Sequence, residues 1–183
     1  HGACRPVSAS VLGARLDSAA DIDAIAAKVA YDSMDLLQAP HTWSGIEMAL
    51  WDILGKARGE PVWKLLGYQT AFPKTPYASR LFGNTPQETL EGGRSARAAG
   101  FKAVKFGWGP FGTGSVEDDV AHLDAAREGL GPDGILLVDA GQIFGGDVEA
   151  AAKRLPALER NRTTWFEEPF HAGALGAYAA LGA

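Results

Sequence analysis

The sequence predicts an α/β fold of about four consecutive βα units behind a helical segment. Three observations predict it. Short apolar runs end near Ser79, Lys105, Asp139 and Glu167, at intervals of 26, 34 and 28 residues. Helix-length stretches separate them; the clearest is Asp147 to Leu158, where Val148, Ala151, Ala152, Leu155 and Leu158 recur at helical spacing. The residues before about 70 carry helical patterns and no strand of their own. Strand–helix–strand units of this kind build parallel sheets. Four of them fit half of a (β/α)₈ barrel or an open doubly wound sheet. A whole barrel takes ~250 residues; about 110 follow Pro73 here. The expected organisation is therefore a helical domain over residues 1–72 and a βα domain over residues 73–183.

Each element has its own signals. Ser18 followed by Asp21 is a capping box, and Ile22, Ile25, Ala26, Val29 and Leu36 give a stripe that runs to about Leu37, with Pro40 as the stop. Ser44 and Glu47 form a second box, and Ile46, Leu50, Ile53, Leu54 and Ala57 form the next stripe, ended by Gly59 and Pro61. Pro61 to Gly67 reads as one or two further turns. Residues 1–16 show no clear element. Thr75 to Gly83 holds the first strand, and Thr85, Pro86 and Glu88 start a helix with proline in its first turn. Gly92 and Gly93 weaken that helix. Phe101 to Gly107 is the second strand, and Ser115 with Asp118 caps the helix that follows. Ile135 to Asp139 and Thr163 to Glu167 are the third and fourth strands. A last helix starts near Gly173.

Composition narrows the function classes. The chain has 183 residues, 46% hydrophobic and 21% charged, with a net charge of −5. That balance is ordinary for a globular domain and argues against a nucleic-acid partner, which selects clustered basic residues. No run of 18 apolar residues is present, so no membrane span is expected. The first residues lack the pattern of a signal peptide. A single cysteine, Cys4, makes no internal disulfide and fits a cytoplasmic location.

The chemistry concentrates where strands end. Asp139 closes the third apolar run, and Glu167 with Glu168 closes the fourth. On neighbouring parallel strands Asp139 and Glu167 project from the same C-terminal ends, where α/β folds place their sites. Two close carboxylates need a cation between them, and a hard ion such as Mg²⁺ takes such oxygen ligands. Lys105 sits towards the C-terminal end of the second strand, in the same layer. Alternation puts Ala103, Lys105 and Gly107 on one face. A lysine there can hold a substrate oxyanion or serve as a base. The glycine-rich loop Trp108 to Ser115 follows and is expected to shape the mouth of the site. Glu168 and His171 are candidates for supporting positions behind the ligands. His122, on a helix, is expected to be solvated.

Four motifs in order then resemble one family. SGIEMALWDILGKARGEPVWKLLG (Ser44 to Gly67), GFKAVKFG, LLVDAG and WFEEPF resemble the capping-domain helix and the second, third and fourth barrel strands of the mandelate racemase/muconate lactonizing enzyme group of the enolase superfamily. The resemblance implies part of a TIM-type (β/α) barrel preceded by the helical part of an enolase-type capping domain. It implies Mg²⁺ held by Asp139 and Glu167, with Lys105 on the carboxylate of a small-molecule substrate. It puts a third ligand and a later-strand base beyond Ala183, so the 183 residues alone are expected to be inactive. A homo-oligomer is also expected.

The chain departs from the family pattern twice. Gly107 replaces the second lysine of Lys-x-Lys, and Gly141 stands where an Asn often follows the first ligand. The chemistry implied is abstraction of the proton α to a carboxylate, with the enolate stabilised by Mg²⁺ and lysine. Without a second lysine a one-base route is expected, such as dehydration of a sugar acid or related hydroxy acid. A racemase, epimerase or cycloisomerase is the alternative. Outside the enzymes, an inert fragment or an Mg²⁺-binding receiver-like module remain.

Overall fold

The computed structural model describes residues 4–34, 36 and 39–183, which fall into two units, residues 1–73 and 74–183. Each unit follows from its own apolar pattern.

The first unit is helical. Helix α1 (Cys4–Val11) lies where the sequence suggested no element. Only Val7 and Ser10 are buried on it, which is too sparse a stripe to register as periodicity. Ser10 holds it to the next helix through a hydrogen bond to Asp32 Oδ2 of 2.6 Å. Helix α2 (Ala19–Asp32) starts at the Ser18 box, whose backbone N–H donates to Asp21 Oδ2 at 2.8 Å. It ends at Asp32, short of the expected Leu37, which itself lies outside the described residues. Helix α3 (Ala39–Arg58) begins earlier than expected. Pro40 is its second residue and does not stop a helix, because first-turn N–H groups have no intrahelical partner to lose. Ser44 is therefore inside α3, and its hydroxyl donates to the Pro40 carbonyl at 2.8 Å. A short α4 (Val62–Leu65) follows. Ile22, Ile25, Val29, Leu50 and Leu54 build this unit's core together with Val7 and Ala39.

In the second unit, strands β1 (Tyr77–Leu81), β2 (Ala103–Gly107), β3 (Ile135–Asp139) and β4 (Thr163–Glu167) are parallel and pair in chain order. Helices α5 (Pro86–Ala98) and α6 (Val116–Leu130) connect the first three. Gly93 and Gly129 let these two helices touch: a Cβ on Gly129 would lie 2.3 Å from the Leu90 carbonyl oxygen. That packing is the reason for Gly93 inside α5. The expected single helix at Asp147 to Leu158 is two, α7 (Val148–Ala152) and α8 (Leu155–Arg160). Pro156 lacks the N–H that would continue the ladder, so the helix breaks just before it. Helix α9 (Leu175–Leu181) ends the chain.

Helices cover one face of the sheet. Ala78, Val104, Phe106, Leu136 and Val138 point into them and are buried with Ala96, Leu123, Ala126 and Ala151. Residues of opposite parity line the other face, where Tyr77, Leu81, Ile135 and Trp165 remain exposed. The rings of Tyr77 and Trp165, on the two outermost strands, meet edge-on at 6.2 Å. Their backbones would be about 14 Å apart on a flat sheet of ordinary strand spacing, and concave curvature draws them together. Sequential parallel order, curvature and one-sided helices are those of a barrel wall, not of the receiver-like sheet, whose helices lie on both faces. None of the described helices is long and apolar enough to cross a membrane.

Candidate active site

Register decides which side chains meet. Along β2 and β3, Lys105 pairs with Leu137 and Gly107 with Asp139. Between β3 and β4 the register slips: Leu136 pairs with Thr163 but Leu137 pairs with Trp165. Thr164 is thus an extra residue, a bulge of the kind that is uncommon in parallel pairs and is often found beside sites. Without it Phe166 would stand opposite Asp139; with it Glu167 does. Thr163 Oγ1, beside the bulge, is buried with no hydrogen-bond partner.

The three expected residues converge. The Lys105 ammonium donates to Asp139 Oδ2 at 2.9 Å and to both carboxylate oxygens of Glu167 at 3.0 Å. Gly141 N–H donates to Asp139 Oδ1 at 3.0 Å, and the Trp165 indole N–H donates to Glu167 Oε2 at 3.2 Å. Lys105 also sits 5.4 Å from the Tyr77 ring centre, so Tyr77 and Trp165 make an aromatic floor below the charges. Burial pushes the Lys105 pKa down, but hydrogen bonds and charge from Asp139 and Glu167 outweigh it and raise the pKa above the usual lysine range.

Both departures from the family pattern have a steric reason. A Cβ on Gly107 would lie 2.8 Å from Asp139 Cβ and 2.8 Å from its carbonyl oxygen. Gly141 has φ +54°, and a Cβ there would lie 3.0 Å from the Trp108 indole. The two glycines clear space on either side of Asp139.

The loops above the strands are strained and tied together. Trp108, Gln142 and Glu168, just past the ends of β2, β3 and β4, have φ of 58°, 67° and 45°. Such values are uncommon outside glycine and cluster at functional sites. Gln142 N–H donates to the Glu168 carbonyl at 2.6 Å. Asp119, 1% exposed, accepts from Gly112 N–H at 2.9 Å and pairs with buried Arg154 at 2.9 Å. Arg154 in turn stacks over Phe144, 5.0 Å from the ring centre. One buried ion pair therefore connects the loop after β2 to the loop after β3. Nothing in the local sequence marked Asp119 or Arg154, which lie 35 residues apart.

The remaining candidates lie further out. Glu168 is exposed. His171 shares a hydrogen bond of 3.2 Å with Gln142 Oε1, not with a carboxylate of the cluster. His122 is not solvated: it is 4% exposed and shares a hydrogen bond of 2.8 Å with Thr89 Oγ1, which also accepts from Gly83 N–H at 2.9 Å. Its burial needs α5 beside α6, which helical periodicity alone does not reveal. A cleft of about 450 Å³ lined by Arg97, Phe101, Lys102 and Asp133 opens at the N-terminal ends of the strands, away from this chemistry.

The donors suit a hard divalent ion. Two carboxylates from adjacent strands already share one positive group, the Lys105 ammonium, which marks where positive charge is needed. Among the described residues no group of three or more Asp, Glu, His or Cys side chains is placed to hold a metal.

A barrel wall with a lysine and two carboxylates at its C-terminal rim defines a class of (β/α)-barrel protein with an acidic, cation-ready site. Comparison gives the family. A family model described as Enolase C-terminal domain-like matches residues 89–183, and one described as the N-terminal domain of mandelate racemase/muconate lactonizing enzyme matches residues 5–67. The chain belongs to the mandelate racemase/muconate lactonizing enzyme group of the enolase superfamily. A crystal structure of a "predicted Mandelate racemase" from Rhodobacter sphaeroides is 66% identical, with TM-score 0.85, over 99% of this chain and 46% of that one. Arabinonate dehydratase from Saccharolobus solfataricus is 32% identical over 75% of this chain and 36% of its own length. A Bradyrhizobium enolase complexed with magnesium and mandelic acid is 27% identical, with TM-score 0.75, over 98% of this chain and 48% of that one. Other curated relatives are named as galactonate dehydratases, cycloisomerases and a racemase. The chain spans 36% of the first of these curated relatives and less than half of the two solved structures.

Proposed function

We propose that a protein carrying this chain removes the proton α to a carboxylate in a Mg²⁺-dependent reaction, and that the reaction is dehydration of a sugar acid or related hydroxy acid. The observation that carries this reading is the convergence of the Lys105 ammonium, from the middle of β2, on Asp139 and Glu167 at the C-terminal ends of β3 and β4. Asp139 and Glu167 would hold the ion. When bound, Mg²⁺ supplies Lewis-acid stabilisation to a carboxylate whose α-carbon is losing its proton.

The chain's own residues do the rest. Lys105 has three N–H donors on one charged group, which suits an oxyanion. Gly141 N–H and the Trp165 indole each hold one carboxylate oxygen, fixing the orientation of Asp139 and Glu167. Gly107 leaves no base two residues after Lys105, so the proton is taken by one base from one face, and a β-hydroxyl can leave from the resulting enolate. A second reading, cycloisomerisation, is supported by a relative named D-galactarolactone cycloisomerase, 36% identical over 74% of this chain. The product separates the two: dehydration yields a compound lighter by one water, and cycloisomerisation an isomer.

The test is an assay of the whole protein with excess Mg²⁺ on a panel of sugar acids, beside Asp139→Asn. The variant is expected to bind Mg²⁺ more weakly and to lose activity; full activity in it rejects the assignment.

A further inference from the structure

We infer that Trp108 determines specificity, by presenting its indole to the C–H face of a polyhydroxylated carboxylate chain held at the Lys105–Asp139–Glu167 cluster. The inference rests on the sugar-acid reading above and adds a residue that reading does not need. Three independent features of Trp108 support it.

Its position comes first. Trp108 directly follows Gly107, whose backbone faces Asp139, and its N–H donates to the Asp139 carbonyl at 3.3 Å. The ring lies against Gly141, whose N–H holds Asp139 Oδ1. The indole is therefore at the rim on the β2–β3 side of the carboxylates.

Its conformation comes second. A φ of 58° is costly for a bulky side chain. Glycine would remove that strain, as it does at Gly109 and Gly112 in the same loop. The strained residue is instead the largest side chain available.

Its surroundings come third. Trp108 is 62% exposed, while Phe111, three residues on, is buried in the core. The indole does not contribute to the core, and Gly141 has no Cβ to obstruct it. A strained, exposed aromatic seated on a glycine beside the reacting centre is placed to contact a ligand. The ring offers an apolar face. Polyhydroxylated chains present rows of C–H bonds between their hydroxyls, whereas a short hydroxy acid has too few carbons to reach past the carboxylate.

The test uses the whole protein with Mg²⁺ and two variants. Trp108→Asn removes the ring and suits the left-handed backbone, since Asn is enriched there, so folding is preserved. Trp108→Phe keeps a smaller ring. The expected result is a rise in KM for sugar acids of about tenfold to a hundredfold in Trp108→Asn, the scale of a lost apolar contact. Trp108→Phe should fall between it and the parent, with kcat and Mg²⁺ affinity unchanged in both. An unchanged KM overturns the inference and leaves the dehydratase reading intact. A loss of kcat or of Mg²⁺ affinity also overturns it, since the ring would then be packing around Asp139. If the parent protein turns over no sugar acid, the functional reading fails and this inference with it.

Discussion

At Gly107 the absence of a side chain matters as much as the presence of Lys105 two residues earlier. Any Cβ there meets Asp139 at 2.8 Å. Gly107→Ala is expected to destabilise the fold by about 1–3 kcal/mol, the usual cost of overpacking, measured by urea unfolding. A variant as stable as the parent would show that Asp139 can yield. Restoring the family's second lysine by Gly107→Lys should for the same reason disturb Asp139. His122 gives a different residue-scale expectation. Burial lowers its pKa, against the opposing pull of Asp119, Asp118 and Glu88. The unfolded chain therefore binds this proton more readily than the folded one. Stability from this group is full above the unfolded value of about 6.5 and falls as pH drops below it, until the folded value is passed. Unfolding free energy should decline between about pH 7.5 and pH 5.5, either side of the ordinary histidine value, and His122→Gln should flatten that decline. Equal slopes in both proteins would refute it. Asp139 and Glu167 were legible in the sequence because each is a charged residue that closes an apolar run, and Lys105 because it is a lone charge within one, two residues before the end of β2. Trp108 and His122 were not, since exposure in one and burial in the other are set by neighbours from other elements.

The strands and most helices followed from period and caps, as at Thr85–Pro86 and Ser115–Asp118, where the signal is local. Two features failed for non-local reasons. Helix α1 is held by Val7 and Ser10 against neighbouring helices, with almost no stripe of its own. The bulge at Thr164 has no sequence mark, yet it decides whether Glu167 or Phe166 stands beside Asp139. Deleting Thr164 shifts the parity of everything after it. That deletion should abolish Mg²⁺ binding, whereas Thr164→Val, which keeps the residue count, should preserve it. Titration calorimetry on both variants decides the point; Mg²⁺ binding by the deletion variant would show that Glu167 does not depend on the bulge.

Across the whole βα unit, the concave face is the unusual surface. Leu81 is 70% exposed and Trp165 45%. Strands β1 and β4 each also have one side free of a strand partner among the described residues. Exposed edges beside apolar side chains favour strand-to-strand association. A solution of the 183 residues is expected to self-associate as concentration rises, as followed by sedimentation velocity; a single monomer boundary at every concentration would contradict this. The Tyr77–Trp165 contact has a further consequence. These two rings belong to strands three places apart, and the bend of the sheet is what sets their 6.2 Å separation. Tyrosine excited in the ultraviolet passes its energy to a nearby tryptophan with an efficiency that falls steeply with distance. The wall thus carries its own optical gauge: the tyrosine-sensitised emission that Tyr77→Phe removes from the parent but not from a Trp165→Phe background reports the separation of this pair in solution.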